Sequence, residues 1–192
     1  MGEISGLLPP EPLADHHDFG DFRSGEASLD EWLKRRARAN QVSGASRTYV
    51  VCADPVSKDS VSKDLVSKGL VSKAKRVIAY YALASGVVTV ESAPGRFRRN
   101  MPNPIPVVVM ARLAVDRDWQ GRGIGRALFR DAARRVAHAA DAIGIRGVVV
   151  HAISEEAKNF YLALGFDASP SEPMMLMVTL TDIRAALLQV LD

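Results

Sequence analysis

A glycine-rich run in the second half of the chain has the residue types of an anion-binding turn. The run consists of Gln120, Gly121, Arg122, Gly123, Ile124, Gly125 and Arg126. Glycine lets the backbone approach a ligand closely, and a helix that begins within the run presents unpaired amides at the positive end of its dipole. These amides could hold a diphosphate, with the two arginines adding charge. The spacing matches neither a P-loop nor G-x-G-x-x-G, so an ordinary helix-initiating turn is an equal alternative.

A strand and a helix position this run. Residues 105–115 are apolar, with no proline after Pro106, and they predict a strand. Apolar residues then recur at every fourth position from Ile124 to Ala140, which predicts an amphipathic helix. The predicted order is therefore strand, glycine turn and helix N-terminus, which is the geometry that holds a phosphate group.

A second strand and helix are predicted at residues 147–166. Ser154 is placed to cap the helix, and Gly165 is placed to end it. The carboxylates of Glu155 and Glu156 suit the positive end of the helix dipole.

Two motifs taken together resemble the GCN5-related N-acetyltransferase (GNAT) superfamily. They are Q-x-x-G-x-G at residues 120–125, after a strand, and A-x-x-x-Y-x-x-x-G-F at residues 157–166. The resemblance implies an α+β fold, with a central mixed, mostly antiparallel sheet flanked by helices and splayed between its two central parallel strands. It also implies a single GNAT acetyltransferase domain over residues 1–192, with acetyl-CoA bound at the splay.

The resemblance assigns roles by position. The loop from Gln120 to Arg126 would bind the pyrophosphate, and Tyr161 would protonate the departing CoA thiolate. The backbone of Leu113, Ala114 and Val115 would pair with the pantetheine arm. The family often has Asn seven residues before the tyrosine; this sequence has Ser154 there, which is the corresponding candidate for a cofactor contact.

Composition sets the broad class. The chain has 192 residues, 47% of them hydrophobic, which is enough for one domain with a core. Its single cysteine, Cys52, excludes an internal disulfide and is interpreted as a buried strand thiol. No secretory signal pattern is present, and the longest mostly apolar run, residues 77–90, is too short for a membrane helix. We therefore expect a cytoplasmic protein without a metal site.

The first half of the chain contains a tandem repeat. Val-Ser-Lys recurs with a five-residue period inside residues 55–75, a spacing typical of neither a helix nor a strand. We expect a flexible insert in a hairpin loop, where added length costs little; a basic interaction arm is the alternative.

A helix with a basic end is predicted before the insert. Ser28 and Glu31 have the spacing of a capping box, and the same helix is expected to end in four cations, the last of them Arg38. His16 and His17 have no metal-ligand spacing and are interpreted as surface loop residues.

Longer runs narrow the resemblance to one branch of the superfamily. Residues 29–51, 80–86, 94–107 and 151–161 resemble the toxin acetyltransferases of type II toxin–antitoxin systems, the TacT- and AtaT-like tRNA-acetylating toxins. That branch acetylates the amino-acid α-amine of charged tRNA and blocks translation. It implies an aminoacyl-tRNA substrate, a ribbon–helix–helix antitoxin and a homodimer.

The chemistry of that substrate suits the residues. An α-amine titrates near 8, so a strong side-chain base is less necessary. His151, at the end of a predicted strand, is the one candidate base, and a structural role for it is the favoured alternative. Backbone amides near Val115 could stabilise the oxyanion.

Basic residues are the candidate tRNA contacts, because phosphate oxygens pair with arginine. The candidates are Arg35, Arg36, Arg38, Arg47, Arg96, Arg98 and Arg99. Aromatic residues make up only 6% of the chain, so we expect backbone and acceptor-end recognition rather than base stacking. Part of this set could instead meet the antitoxin.

Two other functions stay open. One is an acetyltransferase for a small-molecule amine or a protein N-terminus. The other is a catalytically inactive acetyl-CoA-binding regulator, which would have no need of the phenol of Tyr161.

Overall fold

The computed structural model describes residues 7–53 and 75–189. The Val-Ser-Lys insert predicted at residues 55–75 lies outside the described residues, apart from Lys75, which begins a strand. The prediction of a single domain with a flexible insert therefore stays a prediction.

The described chain alternates short and long elements. Before the central strand it has β1 (Glu11–Pro12), β2 (His17–Asp18), α1 (Ala27–Arg35), α2 (Ala37–Ser43), β3 (Arg47–Cys52), β4 (Lys75–Val88) and α3 (Gly95–Arg98). The rest comprises β5 (Ile105–Val115), α4 (Ile124–Ala139), β6 (Gly147–His151), α5 (Glu155–Leu162), β7 (Asp167–Ala168), β8 (Met175–Thr179) and α6 (Leu180–Leu188). The strand predicted at 105–115 and the helix start predicted at Ile124 are both confirmed.

The described strands form one mixed sheet in the order β1-β3-β4-β5-β6-β8-β7, with β2 beside β4. β5 runs parallel to β6 through Val108–Val148 and Val109–Val149. β8 is antiparallel to both β6 and β7, and β1 is antiparallel to β3. A mixed sheet flanked by helices is the predicted α+β class.

The described residues up to Ala82, together with residues 112–128, form one compact unit. Its core is built on α1, which buries Leu29 and Leu33 against Tyr80. The Tyr80 hydroxyl donates to the carbonyl of Leu29 at 2.8 Å, and its ring stacks with Trp32. Burial of each leucine contributes about 2 kcal/mol, which fixes α1 on this face of the sheet.

Residues 83–111 and the described residues from Phe129 onwards form a second compact unit. Its core includes Phe97, Met175 and Met177. Gly147 is required here, because a Cβ would lie 2.0 Å from the carbonyl oxygen of Val178.

The start of α1 differs from the prediction. The helix begins at Ala27 with Glu26 at the N-cap and no side-chain cap bond, so the capping box at Ser28 is wrong. Instead, the amide and hydroxyl of Ser24 both donate to Asp30, at 2.9 and 2.6 Å. The carboxylate of Asp30, in the first turn of α1, therefore accepts hydrogen bonds from the segment that precedes the helix.

The helix also ends earlier than predicted. α1 stops at Arg35 and a separate helix starts at Ala37, because Arg36 adopts φ −120° and ψ −30°. Arg38 therefore lies in the first turn of α2 rather than at the basic end of α1. No helix within residues 7–53 and 75–189 combines the length and apolar character needed to cross a membrane.

Candidate active site

The turn after β5 is anchored by Asp116, which is 2% exposed. Its carboxylate accepts the amide of Arg23 at 3.1 Å and the amide of Asp118 at 3.1 Å, and its own amide donates to Ile78. A short 3₁₀ turn, Arg117–Trp119, follows. Sequence reasoning did not foresee this anchoring role of Asp116, because its partner Arg23 lies 93 residues away along the chain.

Gln120 braces the start of the glycine-rich loop. Its side-chain amide donates to the carbonyl of Val115 at 2.9 Å and to that of Ser24 at 2.7 Å. The side chain therefore shapes the loop from within the protein. Its predicted contact with a cofactor stays a prediction.

Two glycines give the loop its conformation. Gly121 and Gly123 have φ +73° and +76°, and a Cβ on either would meet nothing within 4 Å. The amide of Ala127 donates to the carbonyl of Gly123, so the amides of residues 124–126 precede the helical ladder. Buried Ile124 holds this first turn against the core. Glycines with open space above them, next to backbone amides that have no partner in the helix, fit a diphosphate group.

The two arginines of the loop differ in what they already contact. Arg122 donates to the carbonyl of Asp118 at 2.9 Å and lies 4.8 Å from the Trp119 ring centroid. Arg126 is exposed, and its side chain makes no hydrogen bond or ion pair to the part of the chain that the structure describes. Arg126 is therefore the loop cation that is ready to meet an anion.

Tyr161 lies in α5, whose start is set as predicted by Ser154. The Ser154 hydroxyl oxygen accepts the amide of Ala157 at 3.1 Å. The Tyr161 ring is buried between Phe160 and Phe166, with centroids 5.1 and 5.4 Å away. Burial raises the pKa of Tyr161 to about 12, so at neutral pH the phenol is a proton donor rather than a base.

The C-terminus of α5 is a Schellman motif. Gly165 has φ +89°, its amide donates to Leu162, and the amide of Phe166 donates to the carbonyl of Tyr161. The stop predicted at Gly165 is confirmed. Phe166 then packs on Tyr161 and on Phe129.

His151 ends β6 with an exposed side chain. The favoured alternative, a structural histidine with its hydrogen bonds satisfied, is not what the structure shows. Within the described residues His151 also has no side-chain hydrogen bond, so no carboxylate holds it as a base.

Three of the seven candidate tRNA-binding arginines already have partners within the protein. Arg38 donates to the carbonyls of Asp15 and His17, and Arg47 donates to that of Gln41. Arg96 pairs with two carboxylates. The other four are exposed, and their side chains make no hydrogen bond or ion pair to residues 7–53 or 75–189: Arg35, Arg36, Arg98 and Arg99.

The interpretation of His17 as a surface residue is wrong, because it is 2% exposed. Its Nε2 lies 3.0 Å from Glu11, which also pairs with Lys75 at 2.8 Å, and its Nδ1 accepts the amide of Ala14. Sequence reasoning could not see this, since the partners are up to 64 residues apart.

Cys52 completes a group of possible metal ligands with Glu11 and His17. The hydrogen bonds oppose metal binding, because Nδ1 of His17 is used as an acceptor and Nε2 must then carry the ring proton. Burial raises the pKa of the Cys52 thiol to about 12, which agrees with a buried strand thiol and not a nucleophile.

Comparison with known proteins identifies the family. Residues 74–168 match the model of an acetyltransferase (GNAT) domain. The chain is 46% identical to a tRNA-acetylating toxin of Mycobacterium tuberculosis (strain ATCC 25618 / H37Rv), over 95% of this chain and 98% of the relative. The chain belongs to the GNAT acetyltransferase family. The predicted superfamily and fold are thereby confirmed.

Solved structures of the family agree with this membership. AtaT complexed with acetyl-methionyl-tRNAfMet superposes with a TM-score of 0.78 and 26% identity, covering 94% of this chain and 98% of that one. A tyrosine-to-phenylalanine mutant of AtaT, bound to acetyl-CoA and the C-terminus of the antitoxin AtaR, gives 0.73 and 25%, covering 95% and 98%.

Proposed function

We propose that this protein is a toxin N-acetyltransferase that transfers acetyl from acetyl-CoA to the amino-acid α-amine of charged tRNA and so blocks translation. The observation that carries the proposal is the 46% identity, over nearly the full length of both chains, to a tRNA-acetylating toxin. A cognate antitoxin neutralises it. The protein acts in the cytoplasm, where charged tRNA is found.

The glycine-rich loop holds the pyrophosphate of acetyl-CoA. The first-turn amides of Ile124, Gly125 and Arg126 are its donors, and the open positions above Gly121 and Gly123 admit the phosphates. Arg126 adds charge, and Arg122 reaches the same anion after leaving the carbonyl of Asp118.

The pantetheine arm pairs with the backbone of Leu113, Ala114 and Val115. The carbonyl of Val115 already accepts from Gln120, so we assign the amide of Val115 to the arm or to the oxyanion. Ser154 uses its oxygen as the helix cap, and its hydroxyl proton is the part that can reach the cofactor.

Tyr161 is the acid of the reaction. Acetyl-CoA, when bound, supplies an acetyl thioester whose acetyl group moves to the amine while its sulfur leaves as a thiol. Tyr161 donates its phenolic proton to that sulfur and regains a proton from the attacking nitrogen, so the proton lost by the amine ends on the thiol. The raised pKa keeps the phenol protonated before each turnover.

The substrate needs little help from a base. An amino-acid ester loses its proton below the free α-amine value of about 8, so part of it is neutral at physiological pH. His151 is exposed and has no assigned part in this mechanism.

The exposed arginines contact the tRNA backbone. Arg35 and Arg36 at the end of α1, and Arg98 and Arg99 at α3, are the contacts we favour, because their guanidinium groups are not engaged by the described chain. Arg38 and Arg47 are further candidates, although part of their donors is already used. The antitoxin is a ribbon–helix–helix protein whose acidic tail covers the cofactor cleft, and the toxin is a homodimer.

Transfer of labelled acetyl to total charged tRNA tests the proposal, with deacylated tRNA as the blank. We expect label on charged tRNA only, and its loss with Tyr161→Phe. Tyr80→Phe is the matched control, because it removes another buried phenol, whose hydroxyl donates to the carbonyl of Leu29, and it should keep transfer. Label on a small amine or a protein N-terminus, but not on tRNA, would overturn the substrate while keeping the enzyme class.

A further inference from the structure

Three arginines lie in α3 or directly after it: Arg96 and Arg98 in the helix and Arg99 at its C-cap. Within the described residues, only the side chain of Arg96 pairs with carboxylates of the protein. Its Nε lies 2.5 Å from Asp167 and its Nη1 lies 3.3 Å from Asp182. The other oxygen of Asp182 accepts the hydroxyl of Thr179 at 2.6 Å. Arg96 therefore ties α3 to β7 and to the first turn of α6.

Other contacts fix the backbone of the same segment. Arg146 donates to the carbonyl of Phe97 at 2.7 Å and also to that of Arg96. The Phe97 ring is 1% exposed within the core of the second unit. The amides of Phe97 and Arg98 both donate to Pro94. The segment is held by its side chains and by its carbonyls, so its shape is set before any ligand binds.

Arg98 and Arg99 project from this fixed segment. Both are exposed, and neither side chain makes a hydrogen bond or ion pair to the residues that the structure describes. A guanidinium group presents a rigid fork of donors that matches a phosphate. Arg96 does not attract a phosphate in this way, because its one positive charge is outweighed by the two negative charges of Asp167 and Asp182.

We propose that Arg98 and Arg99 form a preshaped contact for two backbone phosphates of tRNA, and that Arg96 is a positioning residue that holds α3 for them. This inference rests on the proposed function. A folded tRNA has phosphates at fixed positions and benefits from a fixed contact, because less ordering is left to be done on binding. A disordered acidic peptide adapts its own shape and needs no such rigidity.

The salt dependence of tRNA binding counts the phosphate contacts. Each contact adds about 0.7 to 0.9 to the slope of log affinity against log salt concentration. The probe is deacylated bulk tRNA, so that binding is measured apart from acetyl transfer. The variants are Arg98→Gln with Arg99→Gln, Arg96→Gln, and Arg134→Gln as a charge control on the exposed face of α4.

We expect the double variant to lower the slope by about 1.4 to 1.8, which is two phosphates. Arg96→Gln should weaken tRNA binding about three- to tenfold, because the segment would then have to be ordered when the tRNA binds. The salt slope should stay unchanged. The same variant should speed hydrogen exchange at the amides of Phe97 and Arg98. Arg134→Gln should change neither quantity.

Three results would overturn the inference. If Arg96→Gln lowers the salt slope by the amount expected for one phosphate contact, Arg96 itself contacts the tRNA, while the proposed function would stand. Unchanged tRNA binding by the double variant, with weaker binding of a polyglutamate peptide, would assign α3 to a protein partner. Acetyl-CoA binding by the wild type without any tRNA binding would remove the tRNA substrate itself, and with it the inference.

Discussion

The side-chain amide of Gln120 donates to the carbonyl oxygen of Val115 across 2.9 Å and folds the glycine-rich loop back on the strand before it. The same amide group reaches the carbonyl of Ser24 at 2.7 Å. One side chain thus joins the end of β5, the loop and the segment before α1. The loop therefore depends on a neutral brace as well as on its glycines.

Replacement of Gln120 by Leu should loosen the loop. Two carbonyls lose their donor, at a cost of about 1 kcal/mol for each hydrogen bond. We expect acetyl-CoA to bind about tenfold more weakly by calorimetry, with the secondary structure kept in circular dichroism. Unaltered affinity would show that the brace does not shape the anion site.

Replacement of Gly123 by Ala should also weaken acetyl-CoA binding, for a different reason. The position is open in space, but φ is +76°, and a Cβ in the left-handed region costs about 1–2 kcal/mol. Gly144→Ala is the matched control, because its Cβ also meets nothing within 4 Å and its φ lies outside that region. Equal affinity losses in both variants would contradict the role of φ.

The pH–rate profile of transfer should reflect the burial of Tyr161. The raised pKa, about 12, keeps the phenol protonated well above its ordinary value of 10. We expect single-turnover rates to rise as the amine loses its proton and then to stay level past pH 10. A descending limb near pH 10 would mean that the phenol is in contact with solvent during the reaction.

Acid should weaken the contacts of Glu11. Hydrogen bonds from Lys75 and His17 lower the pKa of Glu11 below its ordinary 4.5, so the stability they add is present above 4.5 and is lost as pH falls through the lower folded-state value. With 34% of the side chain exposed, solvent screening limits the effect to about 1 kcal/mol.

Chemical unfolding of the wild type and Glu11→Gln across pH 3 to 7 measures this effect. The difference in the free energy of unfolding should be largest near neutral pH and should shrink below 4.5. A difference that stays constant with pH would show that the glutamate contributes packing and not charge.

The sequence predicted those features whose signals are local. The Ser154 cap and the Gly165 stop need partners only three to five residues away, and β5 is one uninterrupted apolar run. Hence the loop and the helix that carries Tyr161 were placed correctly from the residues alone.

Features that depend on distant partners were not predicted. Arg96 meets Asp167 from 71 residues away. His17 contacts the carboxylate of Glu11, which also pairs with the ammonium group of Lys75, 64 residues from Glu11. The capping box at Ser28 failed because Asp30 is engaged by Ser24, upstream of the helix. From the sequence alone, a basic or imidazole side chain is interpreted as exposed, because its acidic partner is distant along the chain.

The glycine turn that ends α5 has a chemical consequence as well as a structural one. It reverses the chain so that the ring of Phe166 packs against the ring of Tyr161. Phe166 is therefore part of the burial that raises the pKa of the Tyr161 phenol. The turn that ends α5 and the proton affinity of Tyr161 therefore depend on each other in this enzyme. A substitution at Gly165, four residues from the phenol, would register first as a shift in the titration of Tyr161.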